Sequence, residues 1–118
     1  MIGMIRFDYA SGVATRVVVD ESSGKILQYQ TYPGRPQSSR QEFHEAVSII
    51  GHDPKLARLV EGGAVTEGGF IVDGPAGHPR NDRYIQIRLL SADRRNLLRV
   101  VLVDLTERVV ASARSSFE

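Results

Sequence analysis

An α+β fold, with a kinked helix packed on an antiparallel sheet of four or more strands, follows from three patterns. Residues 1–32 and 69–113 alternate apolar and polar side chains with the period of half-buried strands. Residues 37–62 carry apolar side chains at helical spacing. Each pattern leaves one face that needs a cover, and the helix and the sheet supply it for each other. At 118 residues the chain is expected to be a single domain over 1–118. Its 42% hydrophobic and 25% charged residues are ordinary for a globular protein. A chain of this size buries roughly two-thirds of its unfolded surface, enough for a core without disulfides or metal.

The first stretch reads as three antiparallel strands. Ile5, Phe7 and Tyr9 alternate with Arg6 and Asp8, and Ser11-Gly12 marks a turn. Thr15, Val17 and Val19 then alternate with Arg16 and Asp20. Glu21-Ser22-Ser23-Gly24 supplies the next turn, with a glycine available for positive φ. Lys25 to Tyr32 places Leu27, Tyr29 and Thr31 on one side and Gln28 and Gln30 on the other. Pro33-Gly34-Arg35-Pro36 ends the pattern and forbids a helix before Gln37.

The centre is helical. Ser39-Arg40-Gln41-Glu42 has capping-box spacing, in which Ser39 accepts from the third amide and Glu42 reaches back to the amide of Ser39. Phe43, Ala46, Val47 and Ile50 fall on one stripe, with Glu45 and Ser48 opposite. Gly51 is expected to end this helix. Asp53-Pro54 starts a second, with Asp53 as N-cap, Leu56, Leu59 and Val60 as its apolar face, and Gly62-Gly63 as its stop.

The last third returns to strands. Gly62-Gly63 and Gly68-Gly69 bracket a flexible connection, after which Phe70-Ile71-Val72 is a short strand. The loop from Asp73 to Pro79 holds two prolines and two glycines in seven positions, so it forms no regular structure. Ile85, Ile87 and Leu89 alternate with Gln86 and Arg88. Leu97–Leu105 is nearly continuous in apolar residues and is the central strand. Arg108–Ala113 is the last strand, and Arg114 to Glu118 is expected to fray. The expected core runs through Phe7, Val17, Val19 and Leu27, then Phe43, Val47, Ile50, Leu56 and Leu59. It closes on Ile85, Ile87, Leu89, Val100, Leu102 and Val109.

An echo links the two strand regions. Arg16-Val-Val-Val-Asp20 before Lys25-Ile-Leu27 is matched by Arg99-Val-Val-Leu-Val-Asp104 before Arg108-Val-Val110. Each is an apolar strand that ends at an aspartate, then turns, then restarts on a basic residue.

Chemistry is constrained by what is missing. The chain has no cysteine, which excludes disulfides, Cys-ligated metals and thiol catalysis. No P-loop, nucleophile elbow or Gly-x-Gly-x-x-Gly occurs. His44 and His52 are eight apart and cannot chelate as an i, i+4 pair, and nothing fixes His78 beside them. No metal and no cofactor is expected. The net charge of +1 divides unevenly, since every basic residue after Pro79 is an arginine. Asp82, Asp93, Asp104 and Glu107 interleave with these arginines and neutralise much of their field, so nucleic acid is not the expected partner. No apolar run reaches the ~20 residues that span a bilayer, and Met1–Met4 lack a signal-peptide pattern, so no membrane partner is expected. The composition assigns no compartment. The one candidate ligand-binding set is His78, Asp82, Arg83 and Tyr84, a polar group at one end of the sheet. The alternatives to an interaction module are therefore a small-molecule or metal-binding domain using the 73–84 loop and a weak nucleic-acid binder through the arginine-rich C-terminal half.

The pattern from Ser39 to Ala113 resembles the small N-terminal domains that precede the catalytic domain of copper amine oxidases. Ser39-x-x-Glu42 leading into Phe43, Ala46 and Val47 is similar to that family's capped helix. Leu98–Leu105 followed by Val109-Val110 is similar to its valine-rich strand, aspartate, turn and returning strand. The family usually has a glycine in that turn, where this chain has Thr106-Glu107-Arg108; Arg16–Leu27, with Gly24, fits more closely. PepSY-type modules show a weaker likeness. The resemblance implies a cystatin-like fold and a non-catalytic accessory or protein-interaction module. It carries over no catalytic residue, because Asn81 is followed by Asp82 rather than by the tyrosine that forms the family's quinone.

Seven strands for one helix pair leave more sheet than the helices cover. Val18, Tyr29, Val101 and Val103 are expected on the uncovered face, which predicts a homodimer through the sheet. A larger oxidase or another protein is the other expected partner.

Overall fold

A computed structural model describes residues 1–32 and 34–115. Pro33 of the predicted break and residues 116–118 of the expected frayed end lie outside the described residues. The fold is α+β, with two antiparallel sheets of three and four strands and a short helix packed against the second. The chain divides into two compact units, Met1–Pro36 and Gln37–Glu118.

The first unit is a meander of β1 (Ile2–Asp8), β2 (Val13–Val19) and β3 (Ile26–Thr31). The three predicted strands are present, and they form a sheet of their own instead of extending the helix-covered one. Val17 is buried in its middle, whereas every residue of β3 is exposed. Leu27, expected in the core, is 46% exposed. It is the extra residue of a bulge: Val18 pairs with Gln28 and Val19 with Ile26, so Leu27 has no opposite number.

The second unit begins with α1 (Arg40–His52). Its capping box is complete: Ser39 Oγ accepts from the Glu42 amide and Glu42 Oε1 accepts from the Ser39 amide. The helix passes through Gly51 and stops one residue later. Asp53 caps its C-terminal end, its amide donating to Ile50 O, rather than opening the next helix. The Asp53 carboxylate instead holds the turn, accepting from the amides of Lys55 and Leu56. α2 (Ala57–Glu61) therefore starts later than its sequence signals suggest.

β4 (Val65–Val72), β5 (Tyr84–Leu90), β6 (Leu97–Asp104) and β7 (Val109–Arg114) form the second sheet in chain order. β4 is longer than expected, because Gly68 and Gly69 lie inside it at a bulge. Both take positive φ, which glycine adopts at little cost. Gly69 also leaves room for Phe43, whose Cδ2 is 3.1 Å from where a Cβ would stand.

The register sorts the faces. Ile85 pairs with Val103 and Ile87 with Val101, and directly opposed residues of an antiparallel pair share a face. All four are fully buried, as are Ala46 and Ile50 of α1. Val101 and Val103 thus belong to the core and not to an outward face. β6 is central, as its unbroken apolar run implied, and Val100 and Leu102 on its other side are buried as well. Val109, at the start of edge strand β7, is half exposed.

The sequence echo has a geometric basis. Asp20 Oδ1 accepts from the Ser22 amide and Asp104 Oδ1 from the Thr106 amide, both at 2.9 Å. Four residues after each aspartate comes a residue of positive φ, Gly24 at 71° and Arg108 at 59°. Asp8 and Gly12 repeat the device, with Asp8 Oδ1 accepting from the Ala10 amide. Arg108 alone occupies this left-handed position with a side chain, and its 3.5 Å contact with Glu45 is exposed and weak. Arg108→Gly is therefore expected to raise stability by about 0.5–1 kcal/mol, read as a higher urea midpoint at unchanged slope.

Candidate functional site

The four predicted site residues stand in different surroundings. His78 is exposed at the tip of the 73–79 loop, where its amide donates to Pro75 O. Arg83 and Tyr84 are buried, at 4% and 1% exposure. Arg83 stands immediately before β5 and Tyr84 opens it, and their side chains bond to different neighbours, Glu42 of α1 and Pro79 of the loop.

Arg83 points under α1. Its Nε donates to Glu42 Oε2 at 2.5 Å, and its Nη2 donates to Glu42 Oε1 at 3.0 Å and to Gln37 O at 3.2 Å. A planar guanidinium meets a carboxylate in a two-pronged arrangement that lysine cannot reproduce. Glu42 thus serves both the helix cap and the ion pair. The capping role was legible from Ser39-x-x-Glu42, whereas no spacing signal connects residues 42 and 83.

Tyr84 has the loop folded over it. Its hydroxyl donates to Pro79 O at 2.7 Å. Gly74 lies against its ring: a Cβ there would stand 2.4 Å from Tyr84 Cε2. Only glycine permits the loop to sit this close, which accounts for one of the two glycines in that segment.

Asp82 meets Asp104, which pairs with Tyr84 in the β5–β6 register. Asp104 is buried, and its Oδ1 accepts from the amides of Thr106 and Glu107. The hydrogen bond between the two carboxyl groups requires a shared proton. Together with burial and the negative charges of Asp104 and Glu107, it pushes the Asp82 carboxyl up to about 6. No N–H or O–H donor reaches the buried Oδ2 of Asp82 among the described residues. The folded chain therefore binds this proton more tightly than the unfolded chain does. The contribution is complete below the ordinary carboxylate range and is lost as pH rises through about 6. Asp82→Asn is accordingly expected to match the wild type near pH 4 and to exceed its stability at pH 7.5. Urea melts at both pH values measure the gap, and a gap independent of pH would contradict the shared proton.

The remaining candidates are dispersed. The His44 ring stands edge-on to Phe43, and His52 Nδ1 lies 2.7 Å from Ser48 O at the end of α1. Among the described residues no group of three or more His, Asp or Glu side chains converges to hold a metal ion. Arg88 and Arg94 both meet Glu67, at 2.9 and 3.5 Å. A cleft of about 490 Å³ runs between the end of α1 and the start of β7, lined by Ser48, His52, Pro54 and Arg108. Another of about 390 Å³ lies beside the loop, between Pro75, Gln86 and Arg114, and contains none of the four predicted residues. No helix among the described residues is long and apolar enough to cross a membrane. No family model and no curated protein matches the chain.

Proposed function

We propose that the chain is a non-catalytic accessory or protein-interaction module, of the kind that precedes an amine oxidase catalytic domain. Its second unit is read as a cystatin-like helix on a sheet. It works by forming a homodimer through its sheet, and a larger oxidase or another protein is its further partner. The observation that carries this reading is the first sheet, which has no helix among its described residues and exposes Ile2, Met4, Ile5, Ile26 and Tyr29. Three-stranded sheets gain stability by burying an apolar face, so side chains of this kind left in water favour a protein neighbour. The two polar residues best suited to a ligand, Arg83 and Tyr84, are occupied within the fold.

Sedimentation or light scattering at micromolar concentration tests the association. A dimer mass is the expected result, and a clean monomer mass would sink the proposal. Val101→Lys does not serve to locate the contact, because Val101 lies in the core.

A further inference from the structure

Among the described residues four strands lie at sheet edges, β1, β3, β4 and β7. Edge strands are normally guarded by charge, since their outer main-chain groups can recruit another strand. β1 carries Arg6 and Asp8, β4 carries Glu67 and β7 carries Arg114. β3, with the sequence Ile-Leu-Gln-Tyr-Gln-Thr, carries no charge, no proline and no glycine, and all six residues are exposed.

Its hydrogen-bonding direction is fixed by the residue that follows it. The Tyr32 amide donates to Ala14 O at 2.8 Å, so Tyr32 faces β2. Main-chain direction alternates along a strand, which turns Gln30 and Gln28 inward and the amides and carbonyls of Tyr29 and Thr31 outward. We infer that the homodimer forms by antiparallel pairing of β3 with β3 of a second copy, the two-fold axis passing at Gln30; this rests on the self-association proposed above.

That axis sets Tyr29 opposite Thr31 of the second copy, twice by symmetry, and each pair exchanges two main-chain hydrogen bonds. It also stacks an aromatic ring beside a β-branched side chain, a favourable cross-strand pair. The two Gln30 side chains face each other across the axis, each able to donate and accept. No charge meets a like charge. An axis at Tyr29 would instead set Thr31 against the bulged Leu27, where the pairing is irregular. The result is one continuous six-stranded sheet in which the unguarded edge no longer exists.

Two variants and one cross-link test this. Thr31→Pro removes an outward amide while leaving the β2–β3 bonds intact. Tyr29→Lys changes a side chain that is 68% exposed and sets charge against the second copy. Each is expected to weaken the dimer about tenfold or more in sedimentation, with an unchanged circular dichroism spectrum. Because the chain has no cysteine, Gln30→Cys gives a single thiol per copy. Directly opposed, non-hydrogen-bonded residues lie close enough for a disulfide, so mild oxidation is expected to yield a covalent dimer faster than a Ser23→Cys control does. A dimer that survives both substitutions, or a Gln30→Cys chain no faster than the control, overturns this contact while the association itself stands. A monomeric wild type overturns both.

Discussion

Arg83→Ala is expected to cost about 3–5 kcal/mol, because it strands a carboxylate under the helix. Glu42 is 8% exposed, and its two oxygens face the guanidinium and the Ser39 amide. Removing the cation takes two charge-assisted hydrogen bonds from a largely buried anion. The expected sign differs for a double change. Arg83→Met with Glu42→Gln removes both charges and keeps a side chain able to accept from the Ser39 amide, so it should recover much of the loss. Urea melts of the two single variants and the double variant form a cycle. A double variant no better than the singles would mean that packing, rather than charge, sets the cost.

The second large effect is Val101→Lys. Val101 has no exposure, and it is opposed on its face by Ile87. An ammonium placed there has no partner and no path to solvent, and a loss of more than about 4 kcal/mol is expected. The variant should appear as a loss of the cooperative thermal transition or as insoluble material, not as a folded monomer. A soluble, folded Val101→Lys chain would mean that this face of β6 is accessible after all.

Much of the fold was legible because its signals are local. Alternation in Thr15-Arg16-Val17, the Ser39–Glu42 box and the apolar run of β6 each concern neighbours within a few residues. Where sequence reading failed, the deciding contact was distant or the signal had two meanings. Gly68-Gly69 reads as a break, yet here it is a bulge that makes room for Phe43. Asp53 before Pro54 reads as an N-cap, yet its amide closes the preceding helix. Alternation shows that a strand has two faces but not which one is covered, so by itself it puts Val101 and Val103 on the wrong side. The candidate site was less legible still. Asp82, Arg83 and Tyr84 are contiguous, yet each finds a different partner, Asp104, Glu42 or Pro79, that no motif announces.

In both sheets every strand pairs only with its neighbours along the chain. Each pairing therefore closes a short loop, and the entropic barrier to forming it is small. Hairpins of this kind form on a timescale of about 1–10 μs. The Arg83–Glu42 pair is different, since it joins residues 41 apart and needs both the helix and the sheet in place. It should consequently form after the rate-limiting step. Substitutions at Arg83 would then speed unfolding and leave the folding limb of the chevron unmoved, so the ion pair acts as a lock on the finished fold and not as a guide towards it.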